Sequence, residues 1–76
     1  MWVKQGAVDD PDWEEYTSKE FMSRKFGRCS LKVYLSYGGG YVCIAITAKN
    51  QRIIKHLDAD DMDQALLEAE QWACVA

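Results

Sequence analysis

His56 is the chain's single histidine, so any imidazole-based general base or Cys–His nucleophile has to be built on it. Three cysteines, Cys29, Cys43 and Cys74, are available as partners. Strand-like alternation is expected to put His56 and Cys43 on one sheet face, yet the pattern supplies no third group to orient the imidazole. No Cys-x-x-Cys pair accompanies the lone histidine, which argues against zinc. An odd cysteine count without a secretory leader reads as reduced thiols in a cytoplasmic protein. The run Asp58-Ala-Asp-Asp-Met-Asp63 superficially resembles a calcium loop, but it lacks the glycine at the sixth position and the closing bidentate glutamate. Gly38-Gly39-Gly40 has no lysine or helix behind it and so is no phosphate loop. The expectation is a protein without catalytic residues, metal or cofactor.

Charge is the more informative signal. The net charge is −3, but it is unevenly placed. Residues 9–15 hold Asp9, Asp10, Asp12, Glu14 and Glu15 with no base, and residues 58–76 hold six acids with no base. Between them, residues 19–55 set eight basic side chains against Glu20 alone, a net +7. Two surfaces could use this polarity to steer a partner. One is acidic, built on Asp9, Asp10, Asp12, Glu14, Glu15, Asp60, Asp61 and Asp63. The other is a sheet face carrying Arg28, Lys32, Tyr34, Tyr41, Thr47, Arg52, Ile54 and His56. Bases interleaved with tyrosines suit single-stranded nucleic acid. The same residue types are enriched where proteins meet proteins.

Positioning these groups requires a small α+β domain. At 76 residues and 49% hydrophobic content the chain makes one compact unit with a modest core, and no apolar run is long enough to span a membrane. Alternation over 28–37 and 40–48 around the triple glycine predicts a hairpin. A two-residue Gly38-Gly39 turn would set Leu35 beside Val42, Val33 beside Ile44 and Leu31 beside Ile46. A third strand follows over 51–57, with Ile53 and Leu57 facing the core. Asp58 or Asp60 then caps a helix over 59–74, whose Met62, Ala65, Leu66, Ala69, Trp72 and Ala73 recur on one face. The expected architecture is therefore a three-stranded antiparallel meander packed against one C-terminal helix. Residues 1–25 add a short helix over 18–25, from the capping box Thr17-x-x-Glu20, or an extra strand.

Helix, three strands and helix is also the order of the double-stranded RNA-binding domain, whose last helix begins with phosphate-gripping lysines. Asp60, Asp61 and Asp63 stand there instead, and would repel phosphate. The stretches Ser30-Leu-Lys-Val-Tyr-Leu-Ser-Tyr-Gly-Gly-Gly-Tyr-Val-Cys-Ile-Ala-Ile and Asp60-Asp-Met-Asp-Gln-Ala-Leu-Leu-Glu-Ala-Glu-Gln-Trp resemble small phage and mobile-element accessory proteins of the anti-CRISPR type. That resemblance implies a non-enzymatic inhibitor that binds a host defence protein or ribonucleoprotein complex in the host cytoplasm. The acidic segments would then imitate a nucleic-acid backbone. The alternative is a nucleic-acid-binding module using the basic, tyrosine-bearing sheet. A monomer and a homodimer both fit, and an edge strand could pair two copies.

Overall fold

The computed structural model describes residues 2–7, 10–36 and 38–74, with side chains described for all of these except 5–7, 10–14 and 74. Six strands precede one helix: β1 (Trp2–Ala7), β2 (Asp10–Ser18), β3 (Phe21–Ser23), β4 (Gly27–Leu35), β5 (Tyr41–Thr47), β6 (Arg52–Leu57) and α1 (Met62–Cys74). They form a single antiparallel sheet in the order β1-β2-β4-β5-β6, with β3 also paired to β4. The expected three-stranded meander is therefore half of a six-stranded sheet. Strands β4, β5 and β6 are that meander; the other three come from residues 2–23.

The short helix expected over 18–25 does not form. Strand β2 pairs with the C-terminal part of β4 (Tyr16 opposite Val33, Thr17 opposite Lys32), and β3 pairs with its N-terminal part (Phe21 opposite Cys29). Between these pairs, β2–β3 spends three residues against two on β4, a β-bulge. The Ser18 hydroxyl fills the gap by accepting the Leu31 amide hydrogen at 2.8 Å. The Thr-x-x-Glu pattern thus lies across a bent strand, where sheet pairing and the burial of Tyr16 and Phe21 against the core outweigh a local helix start. Asp10, Pro11 and Asp12 lie within β2.

The hairpin register differs from expectation by one residue. Leu35 lies opposite Tyr41, Val33 opposite Cys43 and Leu31 opposite Ala45. The cause is the loop. Ser36 N–H donates to Gly40 O at 2.9 Å and Gly39 N–H to Ser36 O at 3.0 Å, so three residues rather than two separate the closing pair. Gly39 takes φ 85°, the left-handed residue that such a loop needs. The β5–β6 hairpin repeats this plan. Thr47 N–H donates to Gln51 O and Asn50 N–H to Thr47 O, with Asn50 at φ 61°.

One added loop residue exchanges the two faces of β5. Toward the helix it presents Tyr41, Cys43 and Ala45; Val42, Ile44 and Ile46 point the other way. Small side chains on the sheet meet small side chains on the helix. Cys43, Ala45, Ala65, Ala69 and Ala73 are all fully buried, together with Leu31 and Val33. Ile53 and Leu57 join the helix side as expected, and Lys55 stays exposed on the outer strand. The helix cap is Asp61, rather than Asp58 or Asp60. Its Oδ1 accepts the Gln64 amide at 2.8 Å, while its carbonyl accepts from Ala65.

Close packing of this kind predicts sharp intolerance to size. Ala69→Leu is expected to lower stability by about 1–3 kcal/mol. Leu67→Ala, on the exposed side of the same helix, is expected to stay within about 0.5 kcal/mol of the parent. Urea denaturation of both variants measures the difference.

Candidate functional site: two opposed surfaces

The helix lies on one face of the sheet. Among the described residues no element packs on the other. Pairing across the sheet defines rows on this open face. Val3, Thr17, Lys32, Ile44 and Ile54 form one row, and Glu15, Tyr34, Val42 and His56 lie in the next. Ser30, Ile46 and Arg52 make a third, with Arg28 and Met22 beyond it. Val3 is 48% exposed and Ile54 60%, high values for aliphatic side chains.

Six of the eight residues expected for a basic binding face do share it: Arg28, Lys32, Tyr34, Arg52, Ile54 and His56. Tyr41 and Thr47 do not. The register places both on the helix side, where Tyr41 packs against the core. In their stead the face gains Val42, Ile44 and Ile46, making it far more aliphatic than its sequence alternation implied. Its charge is also partly cancelled. Lys32 Nζ lies 2.8 Å from Glu15 Oε1, and Arg28 Nη1 lies 3.6 Å from Glu20 Oε1. The sequence signal for the first pair was available only once β2 was known to flank β4.

Glu15 therefore belongs to the sheet face rather than to a continuous acidic surface. Of its neighbours in the early acidic run, Asp10, Asp12 and Glu14 lie in β2 with side chains outside the description, and Asp9 is outside the described residues. The helix side holds the remaining acids. Asp60 and Asp63 are exposed, and Asp61 is exposed while serving as the cap. Glu68 accepts the Asp58 amide with both oxygens, at 3.2 and 3.0 Å, holding the entry to the helix. Glu70 accepts from Trp2 Nε1 at 2.6 Å, tying the first strand to the helix. Neither described ion pair includes an acid of residues 58–70.

The far end of the helix is built differently. Its last turn contains no base. Instead the β3–β4 turn brings Arg24 and Lys25 beside it, complementing the negative end of the helix dipole. Ser23 Oγ donates to the Ala73 carbonyl and accepts the amides of Lys25 and Phe26 at 3.0 and 3.1 Å. Lys25 Nζ sits 5.5 Å above the Trp72 ring and 5.6 Å above that of Phe26, whose rings meet edge to face. Arg24, Lys25, Gln71, Trp72 and Ala73 line a shallow cavity of about 440 Å³ there.

Cys43 and His56 do not come together. Cys43 faces the helix and is fully buried, whereas His56 is exposed on the open face. Burial, reinforced by nearby Cys29, pushes the Cys43 thiol from 9.0 up to about 12. A thiol held protonated and enclosed is a poor nucleophile. Among the described residues no three His, Cys, Asp or Glu side chains gather to hold a metal ion. Among them, too, no helix is long and apolar enough to cross a membrane. The fold and these surfaces define a small α+β domain with a six-stranded antiparallel sheet. No family model, curated protein or solved structure matches the chain.

The raised Cys43 value has a consequence for stability. The unfolded chain loses this proton first, so the contribution is complete below pH 9 and drains away as pH rises toward 12. The slope is about 1.4 kcal/mol per pH unit in that window. Urea midpoints collected between pH 8 and 10.5 should show Cys43→Ala losing less stability with pH than the parent. Parallel pH profiles would contradict the assignment.

Proposed function

We propose that this protein is a non-enzymatic inhibitor of the anti-CRISPR type, acting in a host cytoplasm on a defence protein or ribonucleoprotein complex. Its contact surface is the acidic corner where β6 enters α1, centred on Asp60 and Asp63 and competing for a groove that binds nucleic acid. The observation that supports this reading is the unequal fate of the two charge sets. The sheet's Lys32 and Arg28 are paired with carboxylates, whereas Asp60 and Asp63 stand exposed and outside both described ion pairs. A negative field concentrated on one side attracts a basic groove and accelerates encounter with it.

The same observation weighs against nucleic-acid binding through the sheet. Phosphate neutralisation there would draw on Lys32 and Arg28, which already hold partners, leaving Arg52 as the basic side chain of this face outside both described ion pairs. Stacking would lose Tyr41 to the helix side.

Asp60→Lys/Asp63→Lys, leaving the Asp61 cap intact, is the informative variant. Binding to purified CRISPR effector complexes at two salt concentrations should weaken by about tenfold or more, and the salt slope should flatten. Unchanged affinity and slope would remove the acidic-surface proposal. A mobility shift with single-stranded oligonucleotide, lost on Arg52→Ala/Tyr34→Ala, would move the function to the sheet.

A further inference from the structure

We infer that the open sheet face is covered by a second copy of this chain, giving a symmetric dimer with two helices outward and two sheets inward. This inference concerns the face opposite the acidic corner and stands independently of the target proposed above.

Three observations favour another copy over an unrelated partner. First, much of the charge on the face is cancelled: Lys32 is paired with Glu15 and Arg28 with Glu20. Arg52, outside both described ion pairs, lies at the β6 edge, where a two-fold over β4 keeps it far from its own copy. Second, two of its exposed β-branched side chains are placed symmetrically. Val3 on β1 and Ile54 on β6 end the same row, two strands to either side of Lys32 on β4. A two-fold axis running parallel to the strands over β4 therefore lays Ile54 of one copy on Val3 of the other, twice. The same rotation sets Ile44 against Thr17 and brings together near the axis the two Tyr34 rings and the two Lys32 side chains, each with its Glu15 partner. An isologous interface requires this kind of pairing of one patch with itself.

Third, size and area agree. Five strands spaced about 4.8 Å apart and about 20 Å long make a face of about 500 Å² in plan. That is of the order of the roughly 800 Å² of accessible surface each partner contributes to a standard interface. The core under the helix is also thin: five of the nine buried residues in its cluster are alanine or cysteine. Small domains with limited cores commonly gain stability by associating. Packing the two sheets about 10 Å apart would bury Ile44, Ile46 and Ile54 in a second apolar layer around Val42, which is already only 5% exposed in one copy.

Sedimentation equilibrium of the full chain at up to about 100 µM tests this directly. The expected result is a species of twice the 8.7 kDa chain mass. Ile54→Lys and Val3→Glu, at exposed positions that leave the helix-side core untouched, should each weaken the dimer by about tenfold or more. The double variant Val3→Glu/Ile54→Lys places opposite charges against each other at both ends of the row, and should recover association relative to either single change. Leu67→Lys, 58% exposed on the helix, serves as the control and should leave the dimer intact. A monomer across the concentration range would overturn the inference. So would a dimer indifferent to both single changes, which points to an edge-strand contact, or a dimer broken by Leu67→Lys. Circular dichroism of each variant separates loss of association from loss of fold.

Discussion

Close approach of α1 to the sheet is the constraint on which the rest of the structure depends. Ala65, Ala69 and Ala73 lie one helical turn apart, and Cys43, Ala45, Leu31 and Val33 meet them from below. Alanine on the helix and Cys43 and Ala45 on β5 let the two layers sit close, which increases dispersion contacts per unit area. Where it crosses β5, a helix seated this low leaves little space for side chains larger than Cys43 and Ala45. The three-residue loop between β4 and β5 satisfies that condition by turning Val42, Ile44 and Ile46 to the opposite side.

The open face is the consequence. Its aliphatic character follows from the helix-side packing, and its paired charges follow from β2 lying against β4. Together these features separate two kinds of surface. The sheet offers apolar area with its charge partly cancelled, while the corner at the start of α1 offers exposed carboxylates. Contacts along its C-terminal half hold the helix in place. Trp2 and Glu70 tie it to the first strand, and Ser23 with Arg24 and Lys25 closes its C-terminal end. The β3–β4 turn thus supplies charge complementarity that the helix sequence itself lacks.

Much of this architecture could be read from residue patterns. Strands β4, β5 and β6 and the helix occupy the segments that alternation and helical spacing indicated, and Ile53 and Leu57 face the core as expected. The register was not legible, because both faces of β5 are apolar. Val42, Ile44 and Ile46 alternate with Tyr41, Cys43 and Ala45, so hydrophobicity alone cannot choose between them. Loop length decided the matter, and three consecutive glycines accommodate a two- or a three-residue connection equally well. Residues 2–23 were obscured differently. The local helix signal at Thr17–Glu20 competes with sheet pairing that is non-local and leaves no trace in a short window. Of the candidate site residues, Asp60, Asp61 and Asp63 sit at the helix entry as anticipated, with Asp61 as its cap. Glu15 and Tyr41 exchanged surroundings once β2 and the register were placed.

The orientation of β5 is therefore the central claim, and methyl contacts measured by nuclear Overhauser spectroscopy test it most directly. The account predicts cross-peaks from the Ala45 methyl to methyls of Ala65 or Ala69, and from Ile44 to Ile54 but not to the helix. Cross-peaks from Ile44 or Ile46 to those helix alanines would reverse the two faces of β5 and contradict it.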